Sequence, residues 1–288
     1  MKHWLLTLLL LLPMGAHAQR ENLLPALGAL DRGDYKQAID TLRPLAADGT
    51  IEAQYILAGV LETAPAPWRD LKAALDWYQR AAEAGHAGAQ NNLGALYYDG
   101  RGVLRNPLEA VKWYRLAADQ GFAVAQTNLA LLYGLGIGVP QDTAEMAKLL
   151  QTAAQAGEPR AQAQLGRMYL DGEGVRQDAS EAVKWFRNAA AQDNEGAQFL
   201  LAVLLQRGIG APRDFEAAVA WYRRAANQGN RLAMLELAKA YELGLGIPAN
   251  PAQAKSWREL AQKKPDPQAQ KKDDAASNQR ADPRRSRP

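Results

Sequence analysis

The sequence contains no cysteine in 288 residues. That excludes disulfide staples, thiolate catalysis, cysteine-bound metal and a lipid-modified cysteine at a processed N-terminus. A chain without staples must hold itself together by burying apolar surface, and a hydrophobic content of 48% allows it. Histidine is almost as scarce: His3, His17 and His86 are the only ones, and the first two lie in a segment expected to be removed. One remaining histidine cannot build a histidine-based metal site, and any Ser-His-Asp arrangement would have to use it. His86 falls in a turn where other copies of the same pattern carry Phe122, Glu158, Asn194 and Asn230, so an exposed turn residue is the expectation, not a ligand. Serine occurs only as Ser180, Ser256, Ser277 and Ser286, with no G-x-S-x-G elbow. No catalytic residue, metal ligand or cofactor site is expected.

Long apolar runs are missing too, with one exception. Trp4 to Leu12 is apolar, Lys2 and His3 precede it, Pro13 and Gly15 break it, and Ala16-His17-Ala18 offers a small-x-small cleavage site. This is the layout of a secretory signal peptide over residues 1–18, with Gln19 as the mature N-terminus. The run is about half the ~20 residues a spanning helix needs, which disfavours the alternative of an uncleaved anchor. The mature chain is therefore expected to be soluble and periplasmic or secreted.

Large apolar residues are absent from Lys263 to Pro288, a stretch with eight Lys/Arg and four Asp/Glu. Such a segment cannot bury enough surface to offset its ordering entropy and is expected to be disordered. Its net +4 accounts for the basic pI near 9.0, because residues 19–262 hold 25 basic and 27 acidic residues. A nucleic-acid partner is not indicated. Loose contact of the tail with anionic surfaces and a purely solubilising tail stay open.

Between these ends the chain repeats. Ala53-Gln54, Ala89-Gln90, Ala125-Gln126, Ala161-Gln162 and Ala197-Gln198 are spaced 36 residues apart, and Ala233 continues the series beside Met234. Four residues on stands Leu57, Leu93, Leu129, Leu165, Leu201 or Leu237, each followed by Ala or Gly. A fixed period in this range is the signature of a solenoid or array. Ala89, Leu93 and Tyr97 share one face of a first helix. A Gly-x-Gly loop ends it, as in Gly100-Arg101-Gly102 or Gly208-Ile209-Gly210. A second helix begins at Asn106, Asp142, Asp178 or Asn250, with Glu or Gln three residues on, the pattern of a capping box. It carries an aromatic pair, such as Trp113-Tyr114 or Trp221-Tyr222, whose fixed place in the repeat marks it as core and not as a sugar or base platform. Gly134-Leu135-Gly136-Ile137-Gly138 lacks the preceding strand a dinucleotide loop requires. Residues 19–50 read as an atypical helix pair turning at Asp31 to Asp34, and in the first full unit Thr63 to Pro67 replaces the glycine loop.

The run Ala89, Leu93, Gly94, Tyr97, Gly100, Gly102, Val103, Asn106, Ala110, Trp113, Tyr114, Ala117, Ala118 and Gly121 resembles the Sel-one-like repeat, a relative of the tetratricopeptide repeat. The resemblance covers six units over residues 51–262; Leu149-Leu150 in place of the aromatic pair and Leu205 in place of tyrosine are apolar departures. It implies an all-α fold: a right-handed α-solenoid of stacked antiparallel helix pairs with a 36-residue repeat. It further implies a scaffold for another protein or peptide, with no named partner. A monomer is expected. The alternative is a cell-wall-associated enzyme, or a regulator of one, as suggested for some relatives.

In each first helix a second face, three and four residues apart, varies between units while the core positions do not. In the related tetratricopeptide fold this face lines the concave groove. It holds Asn91, Ala95 and Tyr98; Thr127, Leu131 and Gly134; Ala163, Arg167 and Leu170; Phe199, Val203 and Gln206; and Leu235, Lys239 and Glu242. Partner contacts are expected from Tyr98, Leu131, Arg167, Leu170, Phe199, Val203 and Leu235, with Phe199 as anchor and Arg167 at the rim. The competing expectation is that these apolar side chains pack on neighbouring helices.

Overall fold

The structure, a computed structural model, describes residues 17–263. Nearly all of the leader read over residues 1–18, and the tail beyond residue 263, lie outside the described residues. Among the described residues there are fourteen helices and no strand, and the chain divides into two compact units that meet in sequence at Pro140 and Gln141. The first unit holds α1 (His17–Asp31), α2 (Tyr35–Ala47), α3 (Ile51–Thr63), α4 (Leu71–Glu83), α5 (Ala87–Asp99), α6 (Pro107–Asp119) and α7 (Ala123–Leu135). The second holds α8 (Thr143–Gln155), α9 (Pro159–Asp171), α10 (Ala179–Ala191), α11 (Glu195–Arg207), α12 (Phe215–Asn227), α13 (Arg231–Leu243) and α14 (Pro251–Gln262). Within each unit every helix packs on the next in sequence, the arrangement short connections favour. No described helix is long and apolar enough to cross a membrane.

The even-numbered helices from α2 onward all start in the same way. Asp34, Asp70, Asn106, Asp142, Asp178, Asp214 and Asn250 each accept a hydrogen bond from the backbone N–H three residues on. This satisfies one of the orphan donors of a helix N-terminus. The reciprocal half of the expected capping box does not form. Glu109, Glu145 and Glu181 turn outward to Lys112, Lys148 and Lys184. In two of these three cases the reason is plain: the cap's own N–H is already taken. Asn106 N donates to Tyr97 O and Asp178 N to Tyr169 O, both at 2.8 Å. Asp214 N makes the same bond to Leu205 O at 2.9 Å, so this lock needs only backbone and tolerates leucine in place of tyrosine.

Alanine and leucine dominate the core because the helices approach closely. Ala89, Leu93, Ala197, Leu201, Ala233 and Leu237 are fully buried. A Cβ on Gly94 would lie 2.9 Å from the Tyr114 ring, and one on Gly166 would lie 3.0 Å from the Phe186 ring. Leu150, which stands where other units place an aromatic residue, is also fully buried. The second loop glycine does a different job from the first. At Gly210, with φ of 71°, a Cβ would sit 2.1 Å from Ala179 O. The loop therefore rests directly on the first turn of α10.

The Ala-Gln motif has a polar reason. Gln54, Gln90, Gln162 and Gln198 are buried, and each donates its side-chain amide to a carbonyl near the end of the preceding helix: Ala46, Ala82, Ala154 and Ala190, at 3.0–3.1 Å. The bond ties each leading helix to the helix before it. At α14 the pattern changes. Lys255, Arg258 and Gln262 occupy positions where α12 buries Val219, Tyr222 and Ala226, so the outer face of the last described helix is polar. Water-facing ends of this kind are usual in repeat arrays.

Candidate protein-interaction face

The variable faces of the leading helices differ between the two units. In the first unit the face mixes half-buried Ala95 and Leu131 with polar side chains that bond internally. Asn91 and Thr127 are buried and line no groove. Asn128 donates to Asn91 at 2.9 Å, Asn91 to Asn92 at 3.2 Å, and Asn92 to the Tyr78 hydroxyl at 3.1 Å. Tyr78 in turn donates to Glu62 Oε2 at 2.9 Å, and Arg101 holds Glu62 Oε1 at 2.5 Å. Burial, then the Glu62 carboxylate, pushes the Tyr78 hydroxyl well above its ordinary pKa, so it stays a donor. Tyr98 is half-buried, with the Arg105 guanidinium 5.6 Å from its ring centroid. Leu131 is half-buried.

In the second unit the same register carries five apolar residues beside Arg167, Gln206, Lys239 and Glu242. Ala163, Leu170, Phe199 and Val203 are half-buried and pack against one cluster of buried side chains from α10 to α13. Leu235 is half-buried beside them in the register. The Phe199 ring lies 5.9 Å from Tyr222, whose hydroxyl donates to Gln206 Oε1 at 2.6 Å. Burial, then the nearby Glu236, raises the Tyr222 hydroxyl far beyond its usual range, while Arg207 acts in the opposite direction. Arg167 is exposed and makes no hydrogen bond or ion pair among the described residues. Lys239 pairs with Glu236 at 2.6 Å, and Glu242 pairs with Arg258. The sequence reading thus placed Arg167 in water but set Phe199, Leu170 and Val203 in a more open position than they occupy. It missed Glu62 and Arg101, although Glu62 stands 36 residues before Tyr98 in the same register. It also missed Arg207, four residues beyond Val203 on the same face.

His86 is not a free turn residue. Its Nδ1 accepts from Ala89 N at 3.0 Å, which makes it the N-cap of α5, and its ring stacks on Tyr55 with centroids 4.3 Å apart. With Nδ1 accepting, the proton of the neutral ring sits on Nε2, which faces Glu52 at 3.2 Å. No group of three or more potential metal ligands occurs among the described residues.

Six consecutive matches to the Sel1 repeat cover residues 51–86, 87–122, 123–158, 159–194, 196–230 and 231–261. The chain belongs to the Sel1 repeat family. It is an α-solenoid of Sel1 helix pairs, a fold that generally serves protein–protein interaction. A Sel1 repeat protein from Oxalobacter formigenes is 35% identical over 85% of this chain and 98% of its own, with a TM-score of 0.74. A protective antigen of uropathogenic Escherichia coli with the same fold is 34% identical over 77% of this chain, with a TM-score of 0.72. The Sel1 chain described here spans 48% of that antigen's length. No curated protein matches it.

Proposed function

We propose that this Sel1 protein is an exported interaction scaffold that holds a peptide or partner protein on the variable face of its leading helices, the face read above as concave. The observation that carries the reading is in the second unit, where half-buried Leu170, Phe199 and Val203 form an apolar floor beside exposed Arg167. Apolar surface rimmed by polar groups is a common mark of an interaction site. Affinity capture from the exporting compartment, with mass spectrometry of the retained proteins, identifies the partner. Phe199→Ala should then weaken its binding by ~2 kcal/mol or more, the range of an aromatic hot spot, while helicity by circular dichroism is kept. Loss of folding in that variant would place Phe199 in the core alone. Export is tested by N-terminal sequencing of processed material, with Gln19 expected first. The rival reading, an enzyme acting on cell-wall material, predicts turnover of wall fragments; the scaffold reading predicts none.

A further inference from the structure

We infer that His86 is a pH-dependent latch on the first turn of α5: a proton taken up at Nδ1 releases the helix cap and leaves the ring held by Glu52. In its neutral form the imidazole is fully used. Nδ1 accepts from Ala89 N at 3.0 Å, and Nε2 donates to Glu52 at 3.2 Å. Tyr55 stacks on the ring with centroids 4.3 Å apart, and a Cβ on Gly88 would come within 3.1 Å of His86 and 3.3 Å of Tyr55. A proton on Nδ1 turns that atom from acceptor to donor, so it meets the Ala89 N–H with a hydrogen of its own. It also sets a positive charge at a helix N-terminus, where the backbone dipole disfavours it. On the other side of the ring the same proton strengthens the contact with Glu52, because an ionised donor now meets a carboxylate. The two effects act in one direction, away from Ala89 and toward Glu52. Histidine changes charge between about pH 5 and 8, so a mild fall in pH is enough to operate the latch.

The corresponding turns confine the latch to one joint. Asn194 and Asn230 accept from Ala197 N and Ala233 N with uncharged amides, and Glu158 accepts from Ala161 N with a carboxylate. Thr50 and Phe122 make no side-chain cap. Among these turns only His86 caps through an imidazole. The titratable groups that face its ring are Glu52 and Tyr55, both on α3. On α4, which packs on α3 and α5, Arg80 lies over Trp77, Glu83 accepts from Gln79, and Lys72 and Asp76 sit toward the far end. On α5 itself Asp99 pairs with Arg101. On α6 Lys112 pairs with Glu109, Arg115 donates to Tyr133, and Asp119 is exposed. The next turn of α5 carries Asn91 and Asn92, which link Asn128 to Tyr78. Release of the cap therefore loosens the helix that positions the amide chain on the variable face of the first unit.

The test is amide hydrogen exchange on the full chain, read residue by residue by NMR and corrected for the intrinsic rate at each pH. The Ala89 N–H lies in the first turn of α5 and has no intrahelical acceptor, so its protection reports the bond to His86. That protection should fall about tenfold between about pH 7.5 and 5.5, the worth of a typical cap, while Ala197 and Ala233 under their asparagine caps stay constant. The imidazole nitrogen shifts should show the proton on Nε2 alone above the transition and on both nitrogens below it. His86→Asn supplies the cap that α11 and α13 already use, so it should fold, protect Ala89 and remove the pH dependence. Glu52→Gln should keep the cap at neutral pH and move the fall at Ala89 to lower pH, because the protonated ring has lost its carboxylate. Protection at Ala89 that stays flat over this range overturns the latch. So does a fall that persists in His86→Asn, or one shared equally by Ala197 and Ala233.

Discussion

Tyr78 and Tyr222 occupy one register in two units, and each has its hydroxyl turned toward an acceptor on a leading helix: Glu62 for the first and Gln206 for the second. Both hydroxyls are held above their ordinary range, chiefly by burial. A raised folded-state pKa means stability that is fully present below the unfolded tyrosine value of about 10 and lost as pH rises beyond it. Urea midpoints should therefore fall steadily above about pH 10. Phe186 shows that the register accepts a ring without a hydroxyl. Tyr222→Phe should cost about 0.5–1.5 kcal/mol at neutral pH by loss of the bond to Gln206, and should make the alkaline decline shallower than in wild type. The glutamine series offers the opposite kind of change. The side-chain oxygens of Gln90, Gln162 and Gln198 each accept from a glutamine thirty residues on, Gln120, Gln192 and Gln228, at 2.7–2.9 Å. Gln54 Oε1 is buried without a partner, and the corresponding position is Ala84. Ala84 has φ of −77° and ψ of 5°, close to the −82° and 3° of Gln120, so the backbone already suits the longer side chain. Ala84→Gln should stabilise the protein by about 0.5–1.5 kcal/mol, read as a higher urea midpoint.

Helix ends show how the repeat separates two kinds of glycine. Gly229 has φ of 101° and open space where a Cβ would go, whereas a Cβ on Gly210 would overlap the carbonyl oxygen of Ala179. Gly229→Ala should therefore cost only the left-handed backbone penalty, about 1–2 kcal/mol. Gly210→Ala adds an overpacking penalty against rigid backbone and should cost about 2–5 kcal/mol in thermal or urea unfolding. Asp193, at φ of 61°, demonstrates that the turn position of Gly229 tolerates a side chain; its carboxylate is engaged by Gln198 and Arg224. The starts of the even-numbered helices were legible as Asp or Asn followed by a helical run. The fate of Glu109 and Glu181 was not, because it depends on a carbonyl of the neighbouring helix that no local pattern reveals.

A repeat array distributes its stability over nearest neighbours, since each helix pair buries its apolar face only against adjacent pairs. Leu93 in α5 is fully buried. Leu93→Ala should cost about 2–5 kcal/mol through lost contacts and a residual cavity. Hydrogen exchange should show the lost protection concentrated in α3 to α6, with α11 to α14 little changed, because opening in such folds is local. Uniform loss of protection across the described helices would mean that they unfold as one cooperative block.

The period of 36 residues, the helix class and the loop positions were set by local chemistry: alanine and leucine at helical spacing, glycine where φ is positive, and Asp or Asn at caps. These are short-range constraints, so they can be read from one chain. The accessibility of the variable face was decided elsewhere. Periodicity placed Asn91, Thr127, Phe199 and Arg167 on one side of their helices, but it could not say how far each sinks. Asn91 and Thr127 are buried and bonded, Phe199 rests half-covered against Tyr222, and Arg167 stands in solvent. That outcome depends on the side chains offered by the next helix and on how closely the small residues let it approach, a long-range property. Likewise the sequence shows both Arg101 and Arg207 as cations, and only the tertiary structure shows that Glu62 neutralises the first and nothing among the described residues pairs with the second.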